Sequence, residues 1–249
     1  MKHTRGSHLQ SIIMNLSEFK DYTKGKSIIV VGNNLTAVER EQGKLIDSYD
    51  IVVRFGKGLP DGREKYLGSR TDVWVTGSFR YDMRHHVPDD AIVLFNPSTH
   101  TKKAVKLHYE HLSIYTAEKV KDICKQYNDT SDHRLSAGAI TAHWFVNEIK
   151  NYKEITFINF DFFQQTVLFR DHTQGIINSA QSWHLPLLSK EFINKDNLAD
   201  NAAHNPKLER AVFSDIFKQP NTHFVGERLD GLQIIDAPNA SYDSVRGKI

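Results

Sequence analysis

The chain has 249 residues, 39% apolar and 25% charged, a balance that suits a globular domain, and a length able to bury most of its unfolded surface in a single core. No apolar run approaches the roughly 18 to 20 residues a bilayer-crossing helix needs. With 32 Lys and Arg against 30 Asp and Glu, the net charge of +2 lacks the one-sided basicity of an electrostatic nucleic-acid binder, so no nucleic-acid partner is expected.

In chain order, residues 1–13 carry basic side chains but neither a long apolar stretch nor a small-residue cleavage signal, so they do not read as a secretory leader. They read as a tag or a disordered N-terminus, with Met14 as an alternative start, and 14–249 as a single domain. Cys124 is the only cysteine, which rules out an internal disulfide and suits a cytoplasmic protein.

Beyond residue 25, β-branched runs recur at Ser27–Val31, Asp50–Val53, Asp72–Val75, Ala91–Phe95, Ile155–Phe160 and Leu232–Ile235. Most are continuously apolar, as strands buried on both faces of a parallel sheet are, and the material between them is long enough for helical crossovers. The fold class predicted is therefore α/β: a mostly parallel, Rossmann-like sheet with flanking helices. Ala117–Tyr127 is a predicted helix, since Val120, Ile123, Cys124 and Tyr127 repeat at helical spacing. That puts Cys124 on the packed side, where a small buried hydrophobe is expected rather than a reactive thiol. Ala139–Ile149 is apolar almost all round and predicts one deeply buried helix. The stretch 170–205 is polar and aperiodic, which suggests a lid or active-site excursion.

Three segments carry candidate chemistry. The run Ile28 to Val31 ends in Gly32-Asn33-Asn34; in an open α/β sheet ligands bind beyond strand C-termini, and glycine lets backbone amides approach a phosphate. An ordinary Gly-Asn turn has the same appearance. The three-glycine dinucleotide fingerprint and the Gly-Lys-Ser phosphate loop are both absent, which disfavours the common NAD and ATP modes. Ser136-Ala137-Gly138 precedes the buried helix: Ser136 suits its N-cap, and the small residues leave N–H groups open to an anion or simply allow tight packing. Finally, His204-Asn205-Pro206 places an imidazole just before a helix that starts at Pro206, where a neutral His serves as a general base. With 13 His in the chain, chance placement competes with that reading. No His-Glu-x-x-His or Asp-x-Asp pattern is present and His85-His86 are adjacent, so no metal site is expected. Trp183-His184 offers an aromatic face and a polar donor, for a sugar pocket or a surface pair.

Taken in order, these segments resemble the sialyltransferases. Val31 to Asn34, followed by Ile46-Asp47-Ser48-Tyr49-Asp50-Ile51-Val52-Val53-Arg54-Phe55, is similar to the large sialyl motif, and Leu67-Gly68-Ser69-Arg70-Thr71-Asp72 to its downstream element. Ser136 to Gly138, then Tyr152-Lys153-Glu154-Ile155 and Asn159-Phe160-Asp161-Phe162, is similar to the small sialyl motif and to bacterial lipooligosaccharide sialyltransferases. His204 with Glu209 reproduces a His-x4-Glu pattern. The resemblance spans residues 27–240.

That resemblance implies an inverting, metal-independent transfer of sialic acid from CMP-sialic acid to a hydroxyl of a glycan or glycolipid acceptor, with no cofactor, on a GT-A-like sialyltransferase variant of the fold. It implies a bacterial enzyme of lipopolysaccharide or capsule synthesis, cytoplasmic or peripheral to the inner membrane. By it, His204 is the general base and Glu209 orients or stabilises its imidazolium. Gly32, Asn33, Asn34, Arg54, Ser136, Ala137, Gly138 and Asp161 bind the donor, and His172, Trp183 and His184 are donors available from the excursion, alongside Arg170. Gly56 stands where the family carries an Asn, with Lys57 or Arg54 as the replacement, and the family's tyrosines near the leaving phosphate have no evident counterpart. The donor is left open between sialic acid and another CMP-activated acid such as Kdo, and a nucleotide- or glycan-binding module without catalysis is the alternative from another class.

Overall fold

The computed structural model describes residues 14–33, 37, 40–56, 58–60, 62–76, 87–96, 112–128, 135–160 and 206–225. In chain order these form α1 (Leu16–Thr23), β1 (Ser27–Val31), α2 (Gly43–Asp47), β2 (Ile51–Phe55), α3 (Glu64–Leu67), β3 (Val73–Thr76), β4 (Ile92–Phe95), β5 (Leu112–Ser113), α4 (Ala117–Gln126), α5 (Ala137–Trp144), a π-helical turn (Phe145–Ile149), β6 (Glu154–Ile158), α6 (Pro206–Ile216) and β7 (Thr222–Val225). The described strands make one sheet in the order β5-β4-β3-β2-β1-β6-β7. Every pairing is parallel, with Ile28 beside Ile51 on one flank of β1 and beside Ile155 on the other. This is the Rossmann-like α/β architecture expected from the apolar runs.

Strand alternation sorts the core into two faces. Ile28, Val30, Ile51, Val53, Val73, Val75, Ile155 and Phe157 pack with α1, α4, α5 and α6, whereas Ile29, Val31, Val52 and Ile158 pack with Leu45, Ile46 and Tyr49 of the α2 segment. Each fully buried aliphatic side chain contributes about 1.5–3 kcal/mol, so central strands covered on both sides outweigh the short edge strands in holding the sheet together.

Local signals start the helices where hydrogen-bonding demands it. Asn15 closes a capping box with Glu18 at α1, the Thr116 hydroxyl accepts from the Lys119 amide at α4, and the Ser136 hydroxyl accepts from the Ala139 amide at α5. Cys124 is buried on α4, on the side the periodicity indicates. One helix and the two edge strands, β5 and β7, differ from expectation. The helix predicted over Ala139–Ile149 is α-helical only to Trp144 and then opens into the π turn. Trp144, Phe145, Val146 and Ile149 are all buried, and Phe19 stacks on both Trp144 and Phe145; a widened turn lets adjacent bulky residues share one side, which the α period does not. The edge strand β7 lacks an apolar run, and the strand expected at Leu232–Ile235 lies outside the described residues.

Candidate functional site

The order of strand addition reverses at β1: β2 to β5 are laid down on one side of it, and β6 and β7 on the other. In an open parallel sheet this switch point opens a crevice beyond the strand C-termini, where ligands bind. Gly32 leaves β1 at that point and donates from its amide to the Ile158 carbonyl at 2.7 Å. A Cβ at Gly32 would stand 2.1 Å from the Asn159 carbonyl oxygen, so only glycine allows the two strand ends to meet. Asn33 turns toward β2, its Nδ2 donating to the Phe55 carbonyl at 3.2 Å. Its Oδ1 lies where a Cβ on Gly58 would come within 1.9 Å.

The first turn of α5 faces the same crevice. An α-helix leaves its first four N–H groups without partners in its own ladder. Here the Ser136 amide donates to Glu209 Oε1 and the Ala139 amide to Ser136 Oγ at 3.2 Å, which leaves those of Ala137 and Gly138. Two adjacent N–H groups at the positive end of a helix dipole are suited to a phosphate.

Glu209 sits in the first turn of α6 and is only 3% exposed. Besides the Ser136 amide, its carboxylate accepts from Ser136 Oγ at 2.9 Å. One side chain therefore fixes the start of α6 against the start of α5. The helix begins at Pro206 as predicted, so the residue pair His204-Asn205 leads directly into the turn that Glu209 anchors. His204 itself lies outside the described residues, as do Asn34, Asp161, Arg170, His172, Trp183 and His184.

Phe160 ties these pieces together. Its ring meets Phe55 edge-on at 6.1 Å, Phe213 of α6 at 5.3 Å, and stands 2.7 Å from where a Cβ on Gly138 would be. The ends of β1, β2 and β6 and the first turn of α5 thus converge around Asn159-Phe160. From this segment the sequence singles out Asp161 alone; the signal for Asn159 is a small polar residue directly after an apolar strand, as at Gly32-Asn33.

Arg54 occupies a different place. It is fully buried and points to the opposite face from α5, as its neighbours Val53 and Phe55 pack on the α5 side. Its Nε donates to the Arg70 carbonyl at 2.7 Å and its Nη2 to the carbonyls of Leu67 and Gly68. Burial pulls its pKa down to about 10, so it remains charged at neutral pH. Around it the rest of the first motif forms a latch at the amino ends of the strands. Asp47 accepts from the Ser69 amide and hydroxyl and from the Arg70 amide, and Asp50 from the Ser27 amide at 2.8 Å and hydroxyl at 2.7 Å. Asp72 accepts from the Val52 amide and, at 2.9 Å, from Arg70. The bonds from Ser27 hold the Asp50 carboxyl below its ordinary pKa.

No cluster of three or more His, Cys, Asp or Glu that could hold a metal forms among the described residues, and no described helix is long and apolar enough to cross a membrane.

The topology defines an open, all-parallel α/β protein of the Rossmann-like type, with a glycine-thinned crevice at its switch point. The sequence model of glycosyltransferase family 29 (sialyltransferase) matches residues 6–175, and the chain belongs to that family. Solved structures agree at the level of fold. A mammalian sialyltransferase in complex with Gal-beta-1-3GalNAc-ortho-nitrophenol superposes with a TM-score of 0.51 at 16% identity, over 85% of this chain and 73% of that one. A second structure of a mammalian sialyltransferase gives 0.51 at 17% identity, over 85% and 72%. A sequence comparison with curated proteins finds no match.

Proposed function

We propose that this protein is an inverting sialyltransferase that moves sialic acid from CMP-sialic acid to a hydroxyl of a glycan or glycolipid acceptor. The observation that carries the reading is the account of the α5 N-terminus: two of its four leading N–H groups are taken by Glu209 and Ser136, and the amides of Ala137 and Gly138 stand beside the β1–β6 switch point. Those two amides hold the phosphate of CMP. Asn33, with one amide proton on Phe55, uses the other toward the phosphate or ribose. As the glycosidic bond to CMP breaks, charge grows on the phosphate oxygens, and fixed N–H dipoles stabilise it without reorganising. The chemistry as drawn draws on no divalent ion.

His204 removes the proton of the acceptor hydroxyl as that oxygen attacks the anomeric carbon from the face opposite CMP. Glu209 is a positioning residue in this scheme, since its bonds to Ser136 set the start of α6, the helix that follows His204 in the chain, against the phosphate seat. Asp161, Asn34, His172, Trp183 and His184 complete the donor and acceptor pockets. A general base is worth about 10² to 10⁴ in rate, so His204→Ala is expected to reduce transfer by that factor while CMP still raises the melting temperature. Near-normal transfer by His204→Ala excludes it as the base. Stabilisation by UDP or NAD in place of CMP overturns the donor assignment.

A further inference from the structure

Asn159 holds a buried amide that no described interaction uses. The residue follows β6 with φ +62°, is 6% exposed, and its Nδ2 has no hydrogen-bond partner among the described residues. An orphaned buried donor costs about 1–3 kcal/mol, and a glycine would adopt this left-handed backbone with less strain. Both considerations argue against an asparagine kept for its backbone alone. Asn128 and Asn221 share the conformation, with φ of 58° and 60°, but they lie at exposed turns. Asn159 differs in burial and in place. Its carbonyl oxygen is the atom that bars a side chain from Gly32, and its neighbour Phe160 packs against both Gly138 and Phe55. The orphaned donor therefore belongs to the residue at which the first and second motifs meet.

We propose that the Asn159 side-chain amide donates a hydrogen bond to an acceptor oxygen of the bound nucleotide, either on the phosphate or on the nucleoside. This rests on the nucleotide reading above and adds to it a contact from the end of β6, complementing those from β1 and α5. An N–H₂ group selects an acceptor, so replacing it by the isosteric carboxylate removes the donor and adds repulsion toward a phosphate.

The test is calorimetric titration of CMP and of cytidine into the wild type, Asn159→Gly and Asn159→Asp, with thermal unfolding of each. Asn159→Gly is expected to melt no lower than the wild type and to bind CMP about tenfold more weakly, the loss of roughly one hydrogen bond. Asn159→Asp is expected to bind CMP more weakly still. Cytidine affinity falling in parallel assigns the acceptor to the nucleoside, and cytidine affinity unchanged assigns it to the phosphate; either supports the contact. CMP affinity equal to that of the wild type in both variants overturns it, whatever the melting temperatures. A wild type that binds CMP in that case leaves the nucleotide reading standing, whereas a wild type that does not bind CMP overturns both.

Discussion

The two ends of the sheet are built differently, although one sequence motif runs through both. At the amino ends, Asp47, Asp50, Asp72 and Arg70 are engaged by backbone groups and by one another, and Arg54, level with Val31 in the sheet, reaches back with its Nε and Nη2 to the carbonyls of Arg70, Leu67 and Gly68. At the carboxyl ends, Gly32, Ala137 and Gly138 present backbone with hardly any side chain, Asn33 gives one amide proton to the Phe55 carbonyl, and Ser136 is held by the Glu209 carboxylate. Charged residues that look chemical in the sequence are here the fastening, and the small residues shape the crevice. The carboxylates of the latch are engaged by backbone and hydroxyl donors, whereas the crevice presents the amides of the first turn of α5.

This contrast predicts that variants of the latch lose stability while the folded fraction still binds CMP, and that variants of the crevice do the reverse. The largest effect is expected at Arg54→Ala, which leaves three carbonyls and a cavity in place of a buried guanidinium. Denaturant unfolding should show a loss of about 3–5 kcal/mol, with CMP affinity of the remaining folded protein changed less than twofold. Weakened CMP binding per folded molecule would move Arg54 back into the site. Gly32→Ala tests the boundary between the two regions: forcing β1 from β6 should cost about 1–3 kcal/mol, and unlike Arg54→Ala it should also weaken CMP binding, as read by the same titration.

Glu209→Gln keeps shape and removes charge from the joint between α5 and α6. It is expected to lower stability by about 1–2 kcal/mol and to lower kcat more than it raises the KM for the CMP donor; an unchanged kcat would leave Glu209 a purely structural strut. The smallest effect belongs to Asp50→Asn. The folded pKa of Asp50 is depressed, so its stabilisation is present above the unfolded carboxyl pKa and is lost as pH falls through the folded value. The substitution should lower Tm by about 2 °C at pH 7 and by nothing measurable once the carboxyl is protonated in both states, with CMP affinity unaffected throughout.

Much of the frame was legible because burial leaves a plain mark: the runs at Ser27, Asp50, Asp72, Ala91 and Ile155 are strands, Ser136 caps α5, and Pro206 starts α6. Family membership was legible from short motifs in order. What the residues did not disclose is which motif members face the crevice. Arg54 alternates onto the sheet face away from α5 only through strand register, and the bond from Ser136 to Glu209 joins segments far apart in sequence, so neither is written in local pattern. The π turn answers a packing demand set by Phe19, which periodicity within Ala139–Ile149 does not contain. Asn159 escaped because an orphaned donor is a property of surroundings rather than of composition.

The position of β1 carries a kinetic consequence. Its Ile28 pairs with Ile51 on one side and with Ile155 on the other, so half the central strand's ladder closes early and half must await a distant partner. Loop-closure entropy makes such long-range parallel pairing slow. During refolding or synthesis, the latch should therefore form well before the crevice has two walls, and CMP recognition should emerge only in the slowest phase, after β6 and α6 have docked.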